Sequence, residues 1–311
     1  MMPPTMTESK TAPRAPLQTS APRASAAPIT SSNGSLDHPR NYLGHRFVYV
    51  KFSPRAHGLS VGVNLNRDAA CNFDCVYCDV ARAVASQPAE VDLDVLAAEL
   101  RETLEWVRSG EIAEKLRSCR LPAALLKLRM VAISGEGEPT LSPQFVEAVE
   151  TIVHVRAQGR FPYFKIALLT NGSTLGEPRV QAGLRYLTRE DEIWVKLDAG
   201  TAACFERINR PGGCRIEDVI ANILSVARQR PVIIQSLFPL FRNEPPSVNE
   251  IDTYAQRLNE LKSGGAQISL VQVYSVSRTP ARAGCAHLPL RNLSQIARTV
   301  REATGLNVEV F

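Results

Sequence analysis

Nowhere in the 311-residue chain do about 18 apolar residues follow one another, so the sequence holds no membrane-spanning helix. A dominant charge of one sign is missing too: 36 Lys and Arg stand against 31 Asp and Glu, a formal excess of +5. So mild a surplus permits contact with an anionic substrate or RNA without specifying it. Large apolar residues are nearly absent from residues 1–40, which are rich in Ala, Pro, Ser and Thr. Such a segment cannot repay the entropy of ordering, and the expectation is a disordered tail over 1–44 followed by one folded domain over 45–311. The tail has no apolar core for a secretory signal; its Arg and Ser suit an organelle transit peptide, while Glu8 and the prolines argue for a plain tail. Cysteine is scarce, with seven in all and none before Cys71. An odd count without secretory features fits a reducing, cytoplasmic compartment in which thiols stay free.

What is present is a local concentration of those few thiols. Cys71-Asn-Phe-Asp-Cys75-Val-Tyr-Cys78 spaces three cysteines by three and then two residues. Three sulfurs on one short loop can converge on one metal object, but they supply one ligand fewer than a closed tetrahedral zinc site or a four-cysteine cluster needs. A [4Fe–4S] cluster held by three thiolates keeps one iron open to chelate a small molecule and pass it an electron. Zinc completed by His57 or His287 is the alternative, but zinc sites more often show paired Cys-x-x-Cys units, and only Cys75 and Cys78 form one. Cys119, Cys204, Cys214 and Cys285 are scattered and read first as small buried hydrophobes.

Along the chain, extended segments at 47–52 and 59–65 precede the cysteine loop. Leu93, Leu96, Leu100, Leu104 and Val107 then share one helical face, and helix-like sequence continues to about 128 with a break near Pro122. Strands at 130–134, 164–170, 192–198, 232–238, 266–274 and 307–311 alternate with helical stretches near 145–152, 178–187, 201–209, 216–228, 248–262 and 292–303. Alternation of this kind makes a parallel sheet with crossover helices. The fold class is α/β.

Chemistry in such folds gathers where strands end at their carboxyl side. Those positions hold Ser134-Gly135-Glu136-Gly137-Glu138-Pro139, Thr170-Asn171-Gly172, Lys196-Leu-Asp198-Ala-Gly200, and Gln272 with Tyr274, followed by Arg278. The glycines let backbone approach a ligand, and carbonyls or a carboxylate there accept from an ammonium group. Strand alternation puts Lys196 and Asp198 on one face, where they either pair with each other or bind ligand groups. Tyr274 either stacks on a purine or fills the core. Gln235 and Asn243 are further polar candidates near the fifth strand.

These motifs together resemble the radical S-adenosylmethionine (SAM) superfamily, including the aromatic Tyr77 before the last cysteine. The resemblance implies a partial (β/α)6 TIM-like barrel, a [4Fe–4S] cluster on Cys71, Cys75 and Cys78, and SAM bound by Tyr77, Gly135, Glu136, Gly137, Glu138, Asn171, Asp198 and Tyr274. It implies an enzyme that cleaves SAM reductively to a 5′-deoxyadenosyl radical and abstracts hydrogen from a substrate, with Lys196 a candidate for the site and a flavodoxin or ferredoxin as reductant. The runs Ser53-Pro-Arg55, Gly62-Val-Asn64, Leu169-Thr-Asn-Gly-Ser173 and Ile208-Asn-Arg-Pro211 are similar to the branch containing wyosine-type tRNA-modifying enzymes. That likeness, with Arg40, Arg46, Lys51 and Arg55, supports a nucleic-acid substrate as an alternative to a small molecule. The archaeal members of that branch carry upstream cysteines that this chain lacks, and Cys204, Cys214 and Cys285, which all follow strands, are the candidates for an auxiliary cluster. A metal-binding interaction module without chemistry is the alternative from another class.

Overall fold

The computed structural model describes residues 42–81, 90–112 and 122–311. The tail through residue 41, Arg40 and Cys119 lie outside them. Within the stretch assigned to the tail, Tyr42–Gly44 forms a short 3-10 turn whose Leu43 packs against Leu59, Trp106 and Ile112.

The expected alternation is present. Strand β1 (Val48–Ser53) and β2 (Gly58–Val63) form an antiparallel hairpin. From β2 onward each strand of the main sheet lies parallel to its neighbour: β3 (Leu128–Ile133), β4 (Lys165–Thr170), β5 (Glu192–Lys196), β6 (Val232–Leu237), β8 (Ile268–Tyr274) and β10 (Val308–Val310). The eight-stranded order is β1-β2-β3-β4-β5-β6-β8-β10. Between them run α1 (Leu93–Ser109), α2 (Phe145–Ala157), α3 (Pro178–Leu184), the consecutive α4 (Ala202–Ile208) and α5 (Ile216–Ala227), α6 (Val248–Ser263) and α7 (Leu290–Thr304). A second antiparallel pair, β7 (Leu240–Phe241) with β9 (Cys285–Ala286), was not expected from sequence. Two residues per strand carry no periodicity to read. Among the described residues no helix is long and apolar enough to cross a membrane.

Alternation along each strand sorts side chains between two apolar environments. On β3, Val131 and Ile133 join the large core under the helices, with Phe145, Ile152 and Leu168. Met130 and Ala132 face the other way, with Ala56, Ala167, Trp194 and Ile233, and form an apolar layer inside the curl of the sheet. Helix α1 starts where Asp92 accepts from the Val95 amide at 3.1 Å, and it ends at Gly110, whose φ of 82° suits glycine.

The sheet does not close on itself. The tip of the β1–β2 hairpin, the 3-10 turn Pro54–Ala56, meets the inner apolar layer and β8. The Ala56 side chain joins the inner apolar layer, and Gln272 Nε2 on β8 donates to the Arg55 carbonyl at 3.5 Å. Next to the tip, the His57 ring lies 5.8 Å from that of Phe311, and its Nε2 is 3.6 Å from Glu309 on β10.

Candidate functional site

A cavity of about 270 Å³ opens at the carboxyl ends of the parallel strands. Cys71, Cys75 and Cys78 all border it, on a loop after β2 that has no regular structure of its own. The loop is held by its apolar residues. Phe73 and Val76 are buried, and Phe73 meets the Phe205 ring edge-on at 5.5 Å. The segment 208–212 lies alongside: Val76 N donates to Ile208 O at 2.9 Å, Asp74 N to Arg210 O at 3.1 Å, and Gly212 N to Asn72 O at 2.7 Å. Anchoring Phe73 and Val76 leaves Cys75 between them, and Cys71 and Cys78 on either side, at the cavity wall.

On the opposite side the loop packs directly on the glycine segment after β3. Glu138 N donates to Ala70 O at 2.9 Å, and Asn64 Oδ1 accepts from the Glu136 amide at 3.2 Å. A Cβ on Gly137 would fall 2.0 Å from Ala70 O, and one on Gly135 2.2 Å from Asn64 Oδ1. Gly137 therefore lets two backbones meet and Gly135 makes room for the Asn64 side chain, requirements distinct from ligand approach. Gly137→Ala is expected to part the two loops at a cost of about 1–3 kcal/mol. Thermal unfolding and exchange of the Glu138 amide check it; an unchanged melting temperature with undiminished protection would refute the apposition.

Glu138 is buried and fully engaged. Its Oε1 accepts from Thr140 Oγ1 at 2.5 Å and Thr170 Oγ1 at 2.7 Å, and its Oε2 accepts from the Asn171 amide at 2.7 Å. Burial raises its pKa above the ordinary glutamate value, and these donors work against that rise. The carboxylate latches the β3 loop to the β4 loop, while Gly135 and Gly137 present backbone to the cavity.

Side-chain amides reach two of the sulfurs. Asn171 Nδ2 lies 3.8 Å from Cys71 Sγ, the Phe73 amide 3.4 Å from the same sulfur, and Asn209 Nδ2 3.7 Å from Cys75 Sγ. Donors aimed at sulfur favour thiolate over thiol. Without a cation, burial and the nearby Asp198 carboxylate push the Cys75 thiol up to about 12.

Asp198 organises the far wall. Its Oδ1 accepts from Lys196 Nζ at 2.9 Å and Leu237 N at 2.8 Å; its Oδ2 accepts from Asn209 Nδ2 at 2.8 Å and from the Tyr77 hydroxyl. Burial opposes the Lys196 charge, yet Asp198 and Tyr274 hold its pKa above the ordinary lysine value. The strand-alternation expectation that Lys196 and Asp198 share a face holds, and they pair.

Of the anticipated ligand residues, Tyr77, Gly135, Gly137, Glu138, Asn171, Lys196 and Tyr274 border the cavity. Glu136 and Asp198 stand behind it: Glu136 accepts from Asn64 Nδ2 at 3.0 Å, and four donors occupy Asp198. Gln235 and Arg278 border the cavity, whereas Asn243 lies in an exposed turn with a φ of 66°. Neither His57 nor His287 borders it; His287 Nδ1 lies 2.9 Å from Val276 O. Cys204 packs in α4, Cys285 pairs with Phe241 in β9, and Cys214 Sγ lies 3.6 Å from Arg215 O. Among the described residues no three Cys, His, Asp or Glu side chains are already drawn together as a metal site, those of the cysteine loop included.

Sequence reasoning missed Asn209, which is 2% exposed and binds Asp198, Tyr77 and Cys75 at once. Its only signal was the Ile208-Asn-Arg-Pro211 run. It also missed Arg55 as a cavity residue, because the hairpin tip reaches the cavity from below.

Residues 67–254 match the model of the Radical SAM superfamily. A UPF0026 protein of Helicobacter pylori (strain J99) is 26% identical over 273 residues, covering 81% of this chain and 80% of the relative. A UPF0026 protein of Synechocystis is 26% identical over 179 residues, 57% of each. In fold the chain is similar to Streptococcus suis SuiB bound to S-adenosylmethionine, with a TM-score of 0.56 at 13% identity, over 83% of this chain and 52% of that one. It is similar also to TYW1 with a lysine–pyruvate adduct bound, with a TM-score of 0.52 at 15% identity, over 80% of this chain and 74% of that one. The partial barrel that the resemblance implies is similar in fold to SuiB and TYW1, and the match over residues 67–254 makes this chain a member of the Radical SAM superfamily.

Proposed function

We propose that Cys71, Cys75 and Cys78 hold the [4Fe–4S] cluster and that SAM lies against the backbone of Gly135–Gly137, with Asn209 and Tyr77 on its other side. The observation that carries this is the meeting of all three thiols, the glycine edge and two sulfur-directed amides around one cavity. The residues fit the group. The thiols sit on a loop without regular structure that can draw in around a cluster, and cationic iron removes the cost of buried thiolates. Asn209 Oδ1 is buried without a hydrogen-bond partner, an acceptor suited to a ribose hydroxyl or an ammonium. When bound, the cluster and SAM supply reductive cleavage to a 5′-deoxyadenosyl radical that takes hydrogen from the substrate.

The chain's own part is to orient and enclose. Asp198 holds Tyr77, Lys196 and Asn209 in place, Glu138 fixes the glycine edge, and the apolar layer below keeps water from the lumen. The reductant is a small electron carrier of the flavodoxin or ferredoxin kind, and the reaction is placed in the cytoplasm. Of the basic residues that favoured a nucleic-acid substrate, Arg55 borders the cavity, Lys51 Nζ lies 3.4 Å from Ser134 Oγ, and Arg46 is exposed. The cavity accommodates a small-molecule substrate, and a nucleic acid is the second reading. The test is anaerobic reconstitution with iron and sulfide, followed by SAM and dithionite. Wild type is expected to gain iron and yield 5′-deoxyadenosine; a preparation holding zinc alone and yielding none would overturn the assignment.

A further inference from the structure

Beside the proposed cofactor positions the cavity is lined by Arg55, Lys196 and Tyr274, the last of which the family resemblance also offers to SAM. The Arg55 guanidinium rises from the hairpin tip and stacks on Tyr274, 4.1 Å from the ring centroid. Lys196 Nζ donates to the Tyr274 hydroxyl oxygen at 2.8 Å, so Tyr274 retains its own proton for another acceptor. All three side chains border the cavity. The carboxylates around it are already committed: Asp79 to Arg278 at the rim, Asp198 to Lys196 at 2.9 Å, and Glu138 to Thr140, Thr170 and Asn171. Among the described residues Arg55 has its ring contact and no carboxylate partner. A partly buried guanidinium has five donors to satisfy and leaves them unfilled at a cost.

Charge then selects the ligand. Arg55 and Lys196 contribute two positive charges, and Asp198 and the buried Glu138 carboxylate one negative charge each, so the cavity holds no surplus for a second negative charge on the ligand. A monoanion is accommodated there better than a phosphate dianion. The flat guanidinium fork matches the two oxygens of a carboxylate, and the free hydroxyl proton of Tyr274 supplies a further donor beside it. Arg55 enters from the end of β2 opposite the cysteine loop, while Lys196 Nζ lies 4.8 Å from the ring centroid of Tyr77, which stands between Cys75 and Cys78 in the chain. Resting on the radical SAM reading, we propose that this is a substrate subsite and that the substrate is a monocarboxylate, clasped by Arg55 and Tyr274 with Lys196 adding charge.

The probes are acetate, butyrate and inorganic phosphate, titrated at constant ionic strength into the anaerobically isolated protein and followed by isothermal calorimetry. Both carboxylates are expected to bind saturably and phosphate more weakly. Arg55→Gln and Tyr274→Phe should each weaken carboxylate binding about tenfold or more. Arg55→Lys should keep part of it, since the charge stays and the fork is lost. Iron loading and SAM affinity, measured on the same reconstituted proteins, should match wild type in Arg55→Gln. Absence of saturable carboxylate binding, or phosphate binding as tight, overturns the subsite. So does an Arg55→Gln variant that loses SAM affinity in proportion, since the anion held there would then be SAM's own carboxylate. If wild type cleaves SAM while no carboxylate binds, only the subsite falls; if carboxylates bind but no cluster loads, only the cofactor assignment falls.

Discussion

Alanine at Cys71, Cys75 or Cys78 is expected to reduce 5′-deoxyadenosine formation to background, each substitution acting alone. Three thiolates are the minimum for a cluster with one open iron, so no sulfur is redundant. The neighbouring amides define a second, smaller class of effect. Asn171→Ala and Asn209→Ala remove donors 3.8 Å and 3.7 Å from two of the sulfurs but no ligand. Losses of about 10- to 100-fold in iron affinity or turnover are expected for them. Cys204→Ala, Cys214→Ala and Cys285→Ala lie on separate elements and should retain wild-type iron. Iron per chain and the paramagnetic signal after dithionite read all of these. A single Cys71, Cys75 or Cys78 variant with full iron and turnover would remove that thiol from the ligand set.

The second large effect is on stability, at the end of the barrel away from the cavity. Asp191 precedes β5, and its side chain is fully buried. It accepts from both Arg156 guanidinium nitrogens at 2.5 and 3.0 Å, from the Ile166 amide at 2.8 Å, and from Thr188 N and Oγ1 at 2.8 and 3.0 Å. Arg230 in turn donates to the Asp191 carbonyl at 2.8 Å. Asp191→Asn leaves the Arg156 charge buried without its partner, which is expected to cost about 3–5 kcal/mol. For a chain of this size that lowers the melting temperature by roughly ten degrees. Burial by itself would raise the Asp191 pKa, but Arg156 and the backbone donors bring it below the ordinary aspartate value. A carboxylate of depressed pKa stabilises the fold above its unfolded value and loses that contribution as pH falls through its folded value. The gap between wild type and Asp191→Asn should therefore be full at neutral pH and shrink below about pH 4. The exposed Glu105–Arg108 pair on α1 is the control, and its removal should leave stability nearly unchanged. A gap that persists undiminished into acid would show that Asp191 acts by shape and not by charge.

Much of this architecture could be read before any coordinates. Apolar runs such as Met130–Ile133 and Val232–Leu237 report strands buried on both sides, and the thiol spacing reports the cofactor class. What escaped has a common physical cause, contact between residues far apart in the chain. Asn209 gains its meaning from Cys75, 134 residues away, and Asp198 could be placed on the correct face without its four donors being visible. Gly135 and Gly137 were read as sites of ligand approach, whereas the nearest obstacle to a side chain there is the cysteine loop itself. The hairpin was legible as two strands, but nothing in residues 54–57 announces that the tip turns into the lumen.

That hairpin tip divides the molecule into parts under different constraints. The mouth is tied into loops that must meet one another, so its residues are fixed by the chemistry. The turn below belongs to no ladder and meets the neighbouring strands through a few side chains and one long amide contact. With the subsite proposed above at Arg55, exchange of a few adjacent positions there would change which molecule is admitted and leave the cysteine loop as it stands.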